Sequence, residues 1–173
     1  MLAAIALFAL AAGSDASPSC AGARIPEPWT SWNQSGEATA GGDAGSAPRL
    51  ILGKPVVAAL RPMAQVQFPV KPAEPLAKSY GGLFAMAIKD AARIGIGLSE
   101  PARVDIVSGS SPVGSVSHDQ GPDCSGIREI LWFDLEPGVY QVQISSSMTR
   151  DMRVMAADAI ANQPLARPEE DGF

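Results

Sequence analysis

Residues 127–144 read IREILWFDLEPGVYQVQI, and this stretch decides the fold class. Its first half is an apolar run that predicts a β-strand. Pro137-Gly138 then predicts a tight turn, because proline presets φ at the second turn position and glycine tolerates a positive φ at the third. Apolar and polar residues alternate over residues 140–144, which predicts a second strand. We expect Tyr140 to bury its ring and to hydrogen-bond nearby backbone, as in the tyrosine corners of sandwiches.

The same alternation recurs from Leu50 onward. Short runs of this kind, separated by turn residues, cover residues 56–60, 66–70, 83–88, 94–98, 103–107 and 152–154. No window of about a dozen residues shows the 3.6-residue period of a helix. Many short strands with proline and glycine turns indicate an all-β protein, an antiparallel β-sandwich of the jelly-roll type. Gly95 and Gly97 alternate with isoleucines, which leaves room for a close neighbour on that face.

The chain begins with a segment that resembles a leader. Residues 1–16 form an apolar run followed by small residues, which is typical of a secretory signal peptide, and cleavage could lie as late as residue 23. The run is too short to span a bilayer, and no later segment is long and apolar enough to do so. We therefore expect an exported protein, periplasmic or secreted, with no transmembrane helix after cleavage.

The rest of the chain divides into three parts by composition. Residues 24–49 are rich in proline, glycine and small residues, and they predict a flexible linker. Residues 50–155 carry the alternating pattern and form the sandwich domain. Residues 156–173 turn polar and acidic, which predicts a frayed tail. Trp29 and Trp32 interrupt the linker, either as an anchor that packs back on the domain or as an exposed contact patch.

The charge and the cysteines limit the possible partners. The formal net charge is -5, from 13 basic and 18 acidic residues, and the absence of a basic cluster argues against nucleic-acid binding. Cys20 and Cys124 are the two cysteines. If cleavage follows Ala16, they could form a disulfide in an oxidising compartment. If cleavage follows Ala23, Cys124 is a lone thiol.

Reactive side chains are concentrated in one segment, HDQGPDC. His118, Asp123 and Cys124 are the candidate metal ligands, because imidazole, carboxylate and thiolate all bind transition metals, although their spacing matches no standard zinc pattern. The alternatives are a polar loop at a sheet edge and a Cys–His nucleophile pair. We find no Gly-x-Ser-x-Gly or dinucleotide motif, and we predict no catalytic residue and no cofactor. Glu129 falls on an apolar strand face, so we expect it at the sheet margin or paired with an arginine.

Several motifs together resemble one group of proteins. They are Gly81-Gly82 before a predicted strand, the string HDQGPDCSGIR over residues 118–128, and the Pro-Gly-x-Tyr of the later hairpin. Over residues 50–155 the chain resembles small, uncharacterised exported proteins of sphingomonad-type alphaproteobacteria, which are often named homogentisate 1,2-dioxygenase. The resemblance implies an oxygenase. Many of these relatives carry a second histidine where this chain has Gln120.

An oxygenase of this kind needs a particular ligand set. A non-haem Fe(II) oxygenase typically binds iron through two histidines and one carboxylate, whereas His118 is the single histidine of the chain. Such a site would have to recruit Cys124 or a second subunit. We therefore predict a non-enzymatic module that binds an envelope protein or ligand, with the contact aromatics Trp29, Trp32 and Trp132. The first alternative is a metal-binding or redox protein that uses the His118–Cys124 loop, and the second is the oxygenase.

Overall fold

The computed structural model describes residues 20–34 and 36–159, which form eleven strands and two short 3-10 helices. The predicted signal peptide, residues 1–16, and residues 160–173 of the predicted tail lie outside the described residues. The 3-10 helices are Ala44–Ser46 and Met63–Gln65. The strands are β1 (Glu37–Thr39), β2 (Val56–Ala59), β3 (Arg61–Pro62), β4 (Tyr80–Ile88), β5 (Ala92–Leu98), β6 (Arg103–Ser108), β7 (Ser111–Val113), β8 (Ser117–Gln120), β9 (Glu129–Leu135), β10 (Gly138–Ser147) and β11 (Asp151–Asp158).

The strands form two sheets that pack face to face. Sheet A has the order β1-β2-β11-β5-β9-β8, and sheet B has the order β3-β4-β10-β6-β7. Among the strand pairs of the described chain, β1 with β2 is parallel and the others are antiparallel. The chain repeatedly crosses between the sheets, because β4, β6 and β10 belong to sheet B while β5, β9 and β11 belong to sheet A. This arrangement confirms the predicted antiparallel β-sandwich.

The core lies between the two sheets and follows from the alternation in the sequence. On β5, the residues Ile94, Ile96 and Leu98 are fully buried in it. The buried residues that sheet B supplies include Phe84, Met86, Ile106, Val142 and Ile144. Burial of apolar surface, at roughly 25 cal/mol per Å², favours the packed sandwich over the unfolded chain. The prediction for Tyr140 is also confirmed, because the hydroxyl of this buried residue donates to the carbonyl oxygen of Glu136 at 2.8 Å. Gly138 begins β10 and does not have the positive φ that the turn prediction gave it.

A segment predicted as linker covers the outer face of sheet A. This tryptophan strap, residues 25–34, buries Trp29 and Trp32, each 2% exposed, against side chains of β9 and β11. Glycine on β5 makes the space, since a Cβ added to Gly97 would lie 2.8 Å from the Trp29 ring. The two tryptophans are therefore an anchor, and the interpretation as an exposed contact patch is wrong. Trp132 on β9 is half-buried beside them.

Covalent and polar contacts hold the tryptophan strap in place. Cys20 and Cys124 form a disulfide between positions 104 residues apart, which is the first of the two alternatives that the sequence left open. The guanidinium of Arg153 on β11 donates from Nη1 to the carbonyl oxygens of Trp32 at 2.6 Å and of Gln34 at 2.8 Å. These bonds matter because backbone groups in a segment without regular structure need partners when water is excluded.

Residues 36–50 also belong to the fold, so the prediction of a flexible linker over residues 24–49 is wrong. β1 extends sheet A, and Ala40 and Leu50 are buried in the core. The small residues are needed for close packing, because a Cβ added to Gly82 on β4 would collide with Ala40. The small residues that resemble a linker are present here because two backbones approach each other closely.

The sandwich also continues past the predicted boundary at residue 155. β11 ends at Asp158, and Ala156 and Ala157 are both buried. The N–H of Ala159 then donates to the carbonyl oxygen of Arg93 at 2.9 Å. Alanine gives a weak apolar signal in a sequence, yet at the close approach of two sheets its small side chain packs well.

The strand predicted at residues 66–70 is absent, and an irregular segment crosses the outer face of sheet B instead. This proline loop, residues 66–79, is attached to β10 through Gln143, which is fully buried. The Gln143 amide accepts the N–H of Val70 and donates to the Val70 carbonyl oxygen, both at 2.9 Å. The side-chain amide therefore takes the place of a neighbouring strand.

Candidate functional site

The histidine singled out by the sequence lies on the edge strand of sheet A and pairs with a carboxylate. His118 on β8 is 59% exposed, and its Nε2 lies 3.0 Å from Oε2 of Glu129 on β9. The other carboxylate oxygen of Glu129 accepts the N–H of Ala102 at 2.9 Å. Glu129 therefore links β8, β9 and the segment before β6. It lies at the sheet margin as predicted, but its partner is the histidine and not an arginine.

The other two candidate ligands do not join His118. The sulfur of Cys124 is bonded to Cys20, so it is not available as a thiolate nucleophile or ligand while the disulfide is intact. Asp123 is exposed in the loop between β8 and β9. Within residues 20–34 and 36–159, no three His, Cys, Asp or Glu side chains come close enough together to hold a metal ion. The ligand set predicted from His118, Asp123 and Cys124 is not assembled in this structure.

A cavity opens at the side of the sandwich, at Leu131, the register partner of His118. This lateral notch has a volume of 590 Å³ and lies between the β6–β7 edge of sheet B and β9 of sheet A. Its apolar floor is formed by core side chains of both sheets, namely Val104, Val113, Leu131 and Phe133. Its rim carries Arg103 and Asp105, whose side chains are joined by a hydrogen bond of 3.2 Å from the arginine Nε.

The lateral notch exists because β7 is too short to cover β6. β7 pairs with Ile106, Val107 and Ser108, and the chain then leaves through Gly114 and Ser115 towards β8 in sheet A. The first half of β6, residues 103–105, pairs with β10 on one side. On the other side no strand of the described chain pairs with these residues. The notch therefore contains a free strand edge beside an apolar floor.

The His118–Glu129 pair borders the same region. His118 is the register partner of Leu131, so the two side chains share one face of sheet A. Leu131 belongs to the floor of the lateral notch. The histidine and the glutamate do not line the cavity themselves, but they fix β8 and the segment before β6 relative to each other. In this structure the role of the pair is to hold these segments together.

Two further cavities in the described chain are weaker candidates. One of 470 Å³ lies on the outer face of sheet A and is lined by β1, β2 and Asp151. Another of 390 Å³ lies at the end of the sandwich, around Leu50, Ile88 and Ile94, where its rim carries two basic and two acidic residues. Neither combines a free strand edge with side chains from the core of both sheets, as the lateral notch does.

A surface ion pair accounts for the perturbed titrations of the described residues. Arg93 donates from Nε and Nη2 to the two carboxylate oxygens of Asp134 at 2.7 and 3.0 Å. This hydrogen bonding lowers the pKa of Asp134 and raises the pKa of Arg93. Both side chains are about half exposed, and their register places them on the outer face of sheet A, away from the notch.

Comparison with known proteins adds no assignment. No protein-family model and no curated protein matches the chain. The resemblance to exported alphaproteobacterial proteins therefore stays a prediction. In the described residues, no helix is both long enough and apolar enough to cross a membrane.

The sequence did not predict the lateral notch. The notch depends on the point at which β7 ends, and on the approach of β6 to β9, which are separated by about twenty residues of chain at their nearest ends. The local signal was the run Ser108–Gly114, which contains two glycines, three serines and one proline and so favours a short strand. A short β7 leaves the first half of β6 unpaired, and this follows only once the pairing of the two strands is known.

Proposed function

We propose that the protein is an exported, non-enzymatic β-sandwich module that binds an envelope partner through the lateral notch. The observation that carries this proposal is the free edge of β6 beside a floor of core side chains. Apolar cavities with a few directed polar groups are the usual form of a binding site. Export is supported by the predicted leader and by the Cys20–Cys124 disulfide, a bond that persists mainly in oxidising compartments.

The absence of a catalytic role is supported by the state of the reactive side chains. The two cysteines are bonded to each other. His118 contacts a carboxylate that also holds the backbone of Ala102. The Tyr140 hydroxyl is used by the hairpin turn. The oxygenase implied by the resemblance would need more ligands than His118, the single histidine of the chain, can supply.

A variant that fills the notch tests this function. Gly114 lines the cavity, and a Cβ added there would have no atom within 4 Å. Gly114→Trp should therefore block the notch without disturbing the fold. Ala64→Trp, at an exposed position on the second 3-10 helix, is the matched control.

The measurement is quantitative affinity capture from envelope extracts, together with cell fractionation. We expect the wild type and Ala64→Trp to recover the same partner, and Gly114→Trp to recover at least tenfold less of it. Recovery that does not depend on the notch would contradict the proposal. Turnover of homogentisate with Fe(II) and O₂ by homogeneous protein would overturn its non-enzymatic part.

A further inference from the structure

The free edge of β6 suggests how a partner would bind. We propose that an extended peptide segment of the partner adds to sheet B as a short antiparallel strand opposite residues 103–105, in line with β7. This inference rests on the proposed function and specifies its ligand. Strand addition is a recurring mode of peptide recognition, in which main-chain hydrogen bonds give affinity and alternate side chains give specificity.

The backbone geometry sets the length of the peptide. β6 contains six residues, of which β7 pairs with three. The three unpaired residues span about 10 Å at roughly 3.3 Å per residue, which matches three residues of an added strand. Along an edge strand every second residue turns its N–H and C=O towards the open side, and a peptide backbone in register pairs with those groups. The 590 Å³ volume of the notch leaves room for the incoming chain.

The register of β7 predicts which side chain meets which position. Val113 is the partner of Ile106, so an antiparallel strand in the same line places three peptide residues opposite Asp105, Val104 and Arg103, in that order. The residue opposite Val104 shares its inward direction and contacts the floor formed by Leu131 and Phe133. A valine or another β-branched residue suits this position.

The outward residues meet the charged rim. Arg103 binds Asp105 through Nε, and within the described residues its two terminal nitrogens make no hydrogen bond, so they can bind a peptide carboxylate. The residue opposite Arg103 is therefore acidic, and the residue opposite Asp105 is basic. Opposite charges across a strand pair are favourable and like charges are unfavourable. The expected core of the ligand is Lys-Val-Glu.

The test uses the full exported protein and the probe acetyl-Lys-Val-Glu-amide. Binding is followed by ¹⁵N chemical shifts and by amide hydrogen exchange. We expect the probe to shift the resonances of residues 103–105 and to slow the exchange of the amides that face the notch. The control probes exchange Lys with Glu or replace Val with Asp. We expect each to bind at least fivefold more weakly. Gly114→Trp should abolish binding, while Ala64→Trp should leave it unchanged.

Each other outcome has a distinct meaning. If the probe fails to bind while the notch-dependent envelope partner is still recovered, strand addition is wrong and the proposed function stands. If both fail, the proposed function fails as well. If the protein dimerises and Gly114→Trp weakens the dimer, a second copy occupies the edge and the inference is overturned. It is also overturned if removal of residues 160–173 by itself exposes the amides of residues 103–105 to exchange.

Discussion

The two outer faces of the sandwich are covered in different ways. On sheet A, the tryptophan strap buries two indole rings, and the Cys20–Cys124 disulfide attaches the chain just before it. On sheet B, the proline loop is attached through the amide of Gln143. Burial of apolar area and covalent closure of the chain stabilise the fold more than a hydrogen bond does, because a hydrogen bond contributes only its small advantage over the bond with water. We therefore expect stability to depend more strongly on the cover of sheet A.

The largest expected effect is the loss of an indole from the tryptophan strap. Trp29→Ala leaves a cavity above Gly97, because Trp29 is 2% exposed and packs directly on that glycine. We expect the free energy of unfolding to fall by about 3–5 kcal/mol, the usual range for a buried tryptophan. Urea titration followed by far-ultraviolet dichroism measures it. Val139→Ala, at a position 68% exposed, is the control and should change little. An equal loss in both variants would contradict the role of the strap.

The second effect is the loss of the covalent closure. Replacement of Cys20 and Cys124 by serine opens a loop whose ends are 104 residues apart. The unfolded chain then gains conformational entropy, and we expect stability to fall by about 2–5 kcal/mol. The strap itself should stay docked in the folded protein, since Trp29 and Trp32 remain buried. Near-ultraviolet dichroism of the tryptophans should therefore be unchanged before the transition. A loss of that signal in the native buffer would show that the disulfide, and not apolar burial, holds the strap.

The third effect concerns two residues on the outer face of β10, the face that the proline loop covers. Gln143 and Ser145 lie on the same face of β10, and both are fully buried. Gln143→Leu removes two hydrogen bonds to Val70, and we expect a loss of about 1–3 kcal/mol because the backbone groups of Val70 lose their partner. The hydroxyl of Ser145 has no hydrogen-bond partner within the described chain. Ser145→Ala should therefore leave stability unchanged or raise it by up to about 1 kcal/mol.

Urea midpoints of the two variants, with equal m-values, measure this difference. Hydrogen exchange at the Val70 amide provides a second readout, and it should become faster in Gln143→Leu alone. If Ser145→Ala costs as much as Gln143→Leu, the packing of the loop rather than its hydrogen bonds determines the stability of this cover.

The sequence predicted what depends on neighbouring residues. Alternation along β5 and β10 identified the strands and their buried faces, and the spacing of Gly95 and Gly97 predicted a close neighbour. The neighbours are Trp132 at Gly95 and Trp29 at Gly97, and Trp29 is so distant in the chain that no local pattern could identify it. The linker prediction failed because small residues are typical both of disordered segments and of closely packed backbones. Ala40 against Gly82 is the second case.

The candidate site was predicted only in part, for the same reason. The sequence drew attention to His118 and Glu129 but could not pair them, because the pairing depends on the register of β8 with β9. It offered Cys124 as a ligand or a disulfide partner, and the choice depended on where Cys20 lies in space. The lateral notch required both sheets to be in place.

The smallest expected effect concerns the part of sheet A that the tryptophan strap leaves exposed. The hydrogen bond from Arg93 lowers the pKa of Asp134 below its usual value of about 3.9. The unfolded state therefore binds a proton at a higher pH than the folded state does. The contribution of the pair is present at neutral pH and is lost as the pH falls through the folded pKa. Because both side chains are about half exposed, salt also weakens the contribution. Asp134→Asn should shift the urea midpoint slightly at pH 7, and this shift should become smaller as the pH falls through the folded pKa; Arg93→Gln should show the same pattern. A shift that is the same at every pH would mean that Asp134 acts through packing and not through its charge.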